Sequence, residues 1–142
     1  SPAYDNGVMG IASSIALSGM MAASTRLQVA AGNIANASSS GPLSGSANAA
    51  DYPAAYSARR VDTVEIQGGG TRAIVRDASP GTVPTSDPDA SYADDNGMVA
   101  SPNVDIASEA LDVLSARLSF AMNAFVVRTE SQMMKALFDI KV

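Results

Sequence analysis

The chain has 142 residues and a net charge of −5, with 9 basic and 14 acidic side chains and an aromatic content of 5%. Nucleic-acid binding needs a basic surface and stacking side chains, so this composition argues against a nucleic acid as partner. The chain contains no Cys and no His, which excludes disulfides, thiol nucleophiles, imidazole bases and the common zinc sites.

The first predicted element is an N-terminal helix over residues 1–36. Apolar residues recur there at alternating steps of three and four, a spacing that directs one apolar stripe toward one partner helix. Asp5 or Asn6 is a suitable N-cap, and the polar tract from Asn36 to Gly41 is a suitable stop. The residues of the stripe are Met9, Ala16, Met20, Ala23, Leu27, Ala30 and Ile34.

Residues 7–25 are uncharged, over about the length of a membrane span. Many of them are Gly, Ser or Thr, and no Lys or Arg precedes them. Both a membrane-spanning helix and a secretory signal peptide lack their usual features in this segment. We therefore expect no membrane span and no cleaved signal peptide.

The middle of the chain divides into a Ser/Gly/Ala-rich linker over residues 37–55 and a small β-rich segment over residues 56–103. The strings "YSARRVDTVEIQ" and "TRAIVRD" alternate polar with apolar residues on either side of "GGG", which predicts a β-hairpin. Asn96-Gly97 predicts a tight turn further along the chain.

The aspartates of "DPDASYADDNG" resemble a calcium-binding loop that begins at Asp87. An EF-hand loop needs Gly at its sixth position and Glu at its twelfth, where this chain has Tyr92 and Met98. These aspartates are better explained as solvated turn residues. No metal or other cofactor is predicted.

The second long helix is predicted over residues 104–142. Its apolar residues follow the period of an α-helix, with Asp105 as the N-cap and Glu109 in the first turn. Lys135 and Lys141 fall in the last turns, the order of charge that a helix dipole favours. The residues of the apolar stripe are Val104, Ala107, Leu111, Leu114, Leu118, Met122, Phe125, Thr129, Met133, Leu137 and Ile140.

We predict no enzyme activity. The two lysines of the chain, Lys135 and Lys141, are accounted for by the end of the helix, and Asp105 and Glu109 suit its first turn as well as an acid/base pair. The "GGG" string lies between strands and has no following Lys, unlike a phosphate-binding loop.

The predicted fold is therefore mainly α with a small β element. Two long terminal helices form an antiparallel coiled-coil-like pair around a β-hairpin-rich middle. A lone pair of helices leaves part of each apolar stripe in water, and exposed apolar area costs about 25 cal/mol per Å². Association with other copies of the chain would remove this cost.

Both ends of the chain resemble the bacterial flagellar rod and hook axial family. "SSIALSGMMAASTRLQVAAGNIANASS" is similar to its N-terminal signature, a long helix that ends close to A-x-N-[IL]-A-N. The C-terminal region is similar from residue 94 onward, and the short length resembles the proximal rod subunits of the family. The matching residues are Ala31, Asn33, Ile34, Ala35, Asn36, Asn96, Gly97, Val99, Pro102, Asn103, Val104, Asp105 and Glu109.

The resemblance implies a structural subunit of the flagellar basal body. Such subunits are exported unfolded by the flagellar type III apparatus without a cleaved signal peptide. They stack helically with their terminal helices in the inner layer, and the resulting rod crosses the periplasm and transmits torque from motor to hook. The implied partners are other rod subunits and the MS ring or export-gate adaptor at the rod base.

We expect subunit contacts through the apolar stripes, and we expect Asn33, Asn36, Asn103, Asp105 and Glu109 to shape the helix ends. Asn33 and Asn36 would end the first helix, because Asn tolerates left-handed backbone and caps carbonyls. Neighbouring subunits would hold the polar tract that follows. The alternative is a soluble helical hairpin that binds a single protein partner. The expected interface residues are Met20, Leu27, Ile34, Leu111, Leu114, Leu118, Met122, Phe125, Met133 and Leu137.

Overall fold

The computed structural model describes the backbone of residues 2–140 and the side chains of residues 10–140. The fold is mainly α, with a small antiparallel β region between two long helices, as the sequence predicts. The elements in chain order are α1 (Pro2–Ala35), β1 (Arg59–Glu65), β2 (Thr71–Asp77), β3 (Thr82–Ser86), β4 (Met98–Pro102) and α2 (Ile106–Ile140).

Helix α1 buries the small members of its predicted stripe. Ala16, Ala23 and Ala30, seven residues apart, each expose only 2% of their surface, whereas Met20 and Leu27 are half-buried. The seven-residue spacing brings these alanines to one side of the helix. The small and the large residues of the stripe therefore differ. The chain itself covers the alanines almost completely, whereas it covers the longer side chains only in part.

The start of α1 differs from the prediction. The helix begins at Pro2, so that the predicted N-caps Asp5 and Asn6 lie within it. The side chains of these two residues and of Met9 lie outside the described residues, as does Lys141 at the other end of the chain.

Two hydrogen bonds and one close approach show how the two helices meet. Asn33 Nδ2 donates to Glu109 Oε1 over 2.9 Å, and Arg26 Nη2 donates to Ser115 Oγ over 3.1 Å. A third contact is steric, because a Cβ added at Gly19 would lie 2.7 Å from the side-chain amide of Asn123. Glycine at position 19 thus lets the side chain of Asn123 approach the α1 backbone.

The first hairpin has the predicted position and pairs β1 with β2, from Arg59 opposite Asp77 to Glu65 opposite Thr71. Gly68, Gly69 and Gly70 have positive φ in its turn, a region that glycine enters without steric cost. Near this turn Thr71 N donates to Ser18 Oγ over 3.0 Å. The hairpin also contacts α1 at its base, where Arg59 N at the start of β1 donates to Asn33 Oδ1 over 3.0 Å.

A second hairpin, which the sequence analysis missed, pairs β3 with β4. Pro84 lies within β3 opposite Ala100, in the edge position where a strand tolerates proline. Its connection contains the predicted turn at Asn96-Gly97, where Gly97 has φ +72°. Asp94 Oδ1 accepts hydrogen bonds from Asn96 N and Met98 N, which holds this turn in place.

The tract over residues 37–55 packs on the second hairpin. Gly41 pairs with Ala100 of β4, Asn48 Nδ2 donates to Ala93 O, and the rings of Tyr52 and Tyr92 pack edge to face at 5.9 Å. The expectation that only neighbouring subunits would hold this tract is wrong, because β4 and the turn before it supply its partners within one chain.

Candidate assembly interface

The apolar stripe of α2 lies in the open. Seven of its large side chains expose between 48% and 68% of their surface, and Ile140 at its end exposes 82%. Completing the burial of such half-exposed side chains would yield roughly 1 to 2 kcal/mol each, before the entropic cost of association. The side chains in question are Leu111, Leu114, Leu118, Met122, Phe125, Met133 and Leu137.

Helix α2 presents a different side to α1. Ala116 exposes only 1% of its surface, and Glu109 and Asn123 contact α1. The side of α2 that meets α1 thus carries small and polar residues, while the large apolar side chains of the stripe remain about half exposed or more. The expected interface residues of α1, Met20, Leu27 and Ile34, are half-buried.

By length and composition alone, α2 would also suit a lipid bilayer. Within the part of the chain that the structure describes, α2 is the helix long and apolar enough to cross a bilayer, with 6% of its most apolar stretch buried. An apolar surface of this kind is suited equally to lipid and to protein.

Asn33 connects three elements at one end of the helix pair. It exposes 1% of its surface, and its Nδ2 donates to Arg59 O over 2.7 Å and to Glu109 Oε1 over 2.9 Å. Its Oδ1 accepts from Tyr56 O–H over 2.9 Å and from Arg59 N over 3.0 Å. Both donors and both acceptor positions of the amide are occupied, as a buried amide requires.

This geometry corrects the predicted role of Asn33. Helix α1 continues through Asn33 to Ala35, and no non-glycine residue among residues 2–140 has positive φ. Asn33 therefore does not end the helix, and neither asparagine uses left-handed backbone. Asn36 does bind a carbonyl, since its Nδ2 donates to Gly32 O over 2.9 Å.

Glu109 is the ionisable group of this junction. Burial raises the pKa of its carboxyl above the ordinary value of 4.5, and the nearby charges of Asp112 and Asp105 raise it further. The hydrogen bond from Asn33 acts in the opposite direction and lowers the pKa. The amide thus stabilises a carboxylate that burial destabilises.

The two other expected helix-end residues lie beside this junction. Asp105 precedes α2, and its Oδ1 accepts from Ala107 N over 3.0 Å, which is the geometry of an N-cap. Asn103 Nδ2 donates to Pro80 O over 2.9 Å, linking the start of α2 to the loop between the hairpins. The sequence analysis missed Tyr56 and Ser18, because their roles depend on partners distant along the chain.

Within the described ranges, no group of three or more acidic side chains is arranged to hold a metal ion. The site is therefore an apolar contact surface on α2. At one end of the helix pair lies the junction around Asn33, whose amide has all of its hydrogen-bond partners.

Comparison with known proteins adds an independent observation. The family profile described as "Flagella basal body rod protein" matches residues 14–42. The flagellar basal-body rod protein FlgC of Salmonella typhimurium is 36% identical over 128 residues, which cover 87% of this chain and 91% of that protein. FlgC of Agrobacterium fabrum is 30% identical over 142 residues, covering 93% of this chain and 94% of its own length.

Proposed function

The chain belongs to the FlgC family of flagellar basal-body rod proteins and is a structural subunit of the rod, and we propose that it joins its neighbours there through the apolar stripe of α2. The observation that carries this proposal is the exposure of seven large apolar side chains on one stripe of a helix within the described residues. A structural role also agrees with the expectation that the chain is no enzyme.

We further propose that the terminal helices act as an antiparallel coiled-coil-like pair in the inner layer. The contacts Gly19 with Asn123 and Asn33 with Glu109 support opposite helix directions, because the partner's number falls as the α1 number rises. The same arrangement leaves the α2 stripe available to other subunits.

The domain boundaries remain part of this proposal. The inner-layer helices comprise residues 1–36 and 104–142, and the linker (37–55) and β-rich segment (56–103) form the outer part. The chain would be exported by the flagellar type III apparatus without a cleaved signal peptide. It would then lie in the periplasmic part of the rod, near the MS ring or export-gate adaptor, and transmit torque from motor to hook.

The test is Leu118→Asp in the full chain, expressed in flagellated cells that lack their own copy. A charge on the stripe cannot be buried against a neighbour, so we expect loss of the chain from purified basal bodies and loss of motility. Ser131→Asp is the matched control, since Ser131 is also exposed on α2 and lies outside the stripe. Normal incorporation of the Leu118→Asp chain would refute the proposed interface.

The alternative, a soluble hairpin that binds one partner, predicts a different result. The chain would then be absent from basal bodies even without substitution, and light scattering would find a complex of fixed composition. The match to rod proteins over 87% and 93% of the chain favours the rod.

A further inference from the structure

Charge is unevenly distributed over the β region. Four of the nine basic residues, Arg59, Arg60, Arg72 and Arg76, lie on the first hairpin together with three acidic residues, which gives the hairpin a net charge of +1. The segment over residues 78–104 contains four aspartates and no basic residue, a net charge of −4. The excess of positive charge on the first hairpin is small overall and is concentrated on one of its faces.

Three of these arginines share one face of the first hairpin, which we call the basic face. Arg60 lies opposite Arg76, and Val64 lies opposite Arg72; residues opposite one another in an antiparallel pair point to the same side. One acidic residue, Asp62, shares that face, and its Oδ2 lies 2.9 Å from Arg76 Nε and 3.6 Å from Arg60 Nη2. Both arginine side chains remain more than half exposed.

Arg72 belongs to neither of these two ion pairs, which are the ones found among the described residues. It is exposed and lies next to the hairpin turn, at the end of β2 away from Arg76. The basic face therefore holds more positive charge than its own aspartate neutralises.

The opposite charge lies on the connection between β3 and β4, residues 87–97, which we call the acidic turn. Asp87, Asp89 and Asp95 are exposed, whereas the carboxylate of Asp94 is engaged with Asn96 N and Met98 N. A hydrogen bond from Asp87 N to Gly97 O, 2.9 Å long, closes the turn. Three aspartates are therefore held on a closed turn and point their charge to solvent.

We propose that the basic face of one subunit docks on the acidic turn of a second copy of this chain. The proposal rests on the rod function and adds to it a polar contact in the outer part. The two surfaces lie on different hairpins, so each copy offers one basic face and one acidic turn, and copies can join head to tail in a heterologous contact. Repetition of such a contact generates an open helix when the rotation between copies does not close into a ring. Complementary charge would fix the register of that contact.

The absence of native cysteines permits a direct test by cross-linking. One full-length chain carries Arg72→Cys and a second, differently tagged chain carries Asp89→Cys, both expressed in flagellated cells. After oxidation, purified basal bodies should contain a covalent dimer bearing both tags. Thr63→Cys replaces Arg72→Cys in the control, since Thr63 is exposed on the other face of the same hairpin, and it should give no dimer.

A charge exchange supplies the second measurement. Arg72→Glu and Asp89→Arg should each reduce incorporation into basal bodies by about three- to fivefold, the scale of one exposed ion pair. The chain carrying both substitutions should recover most of that loss, because each contact again joins opposite charges.

Several outcomes would overturn the contact: equal dimer yield in the control, cross-links to a different protein, or no recovery in the double variant. If the unsubstituted chain enters basal bodies in the same experiment, the rod function stands and only the contact fails. If the unsubstituted chain is absent from basal bodies, the rod function itself fails.

Discussion

Removal of the Asn33 side chain tests whether the junction between the helices and the first hairpin depends on one buried amide. Asn33→Ala deletes four hydrogen bonds at once. It leaves the N–H and C=O of Arg59 without their partner, together with the hydroxyl of Tyr56 and the carboxylate of Glu109. Asn36→Ala is the matched control, because it deletes a similar amide from the same helix end but chiefly one bond, to Gly32 O.

The expected loss of stability depends on which of the four lost hydrogen bonds water can replace. Tyr56 and Glu109 are half-buried, so water can hydrate them after the substitution. The two backbone groups of Arg59 face the buried position, and an unsatisfied buried group costs about 1 to 3 kcal/mol. We therefore expect Asn33→Ala to lower the free energy of unfolding by about 2 to 4 kcal/mol, and Asn36→Ala by about 1 kcal/mol.

Urea unfolding of the purified chain, followed by circular dichroism, measures this difference through the midpoint at unchanged slope. A loss of 2 to 4 kcal/mol is a large share of the roughly 5 to 15 kcal/mol that holds an ordinary domain folded. Equal midpoints for the Asn33→Ala and Asn36→Ala chains would refute the reasoning, since the structure gives the two amides very different surroundings.

Two further predictions concern the same helix pair. Gly19→Val should destabilise the chain by about 1 to 3 kcal/mol through the clash with Asn123. Gly10→Val is the control and should lower the stability less, because nothing lies within 4 Å of a Cβ added at Gly10. Equal thermal midpoints for the two variants would contradict this prediction. Because burial raises the pKa of Glu109, its contribution to stability is present below the ordinary value of 4.5 and is lost as the pH rises through the raised pKa. Glu109→Gln should remove the fall in the urea midpoint that begins as the pH rises above the ordinary value of 4.5, and an unchanged pH profile would exclude Glu109 as the titrating group.

The elements that the sequence predicted correctly are specified by local patterns. Alanines at seven-residue intervals placed the buried side of α1, and strand alternation around "GGG" placed the first hairpin. The second hairpin escaped prediction because β3 contains Pro84, and because β4 also pairs through Ala100 with Gly41, which lies far away in the chain.

The candidate interface was predictable in composition but not in orientation. Periodicity identified the apolar residues of α2, yet it did not indicate that α1 would pack against Ala116 and Asn123 on another side. That choice follows from the small residues of α1, which admit a close neighbour. The interior position of Asn33 was equally hidden, since its partners Arg59 and Glu109 lie 26 and 76 residues away.

The attachment of the first hairpin at two points has a mechanical consequence. Its base is bound to Asn33 and its tip to Ser18, which spans about 22 Å of helix axis at about 1.5 Å per residue. Bending or untwisting of this stretch of α1 would strain the hydrogen bond at one or both of these points. Elastic deformation under a turning load would then fall on the lengths of α1 and α2 that lie beyond the hairpin.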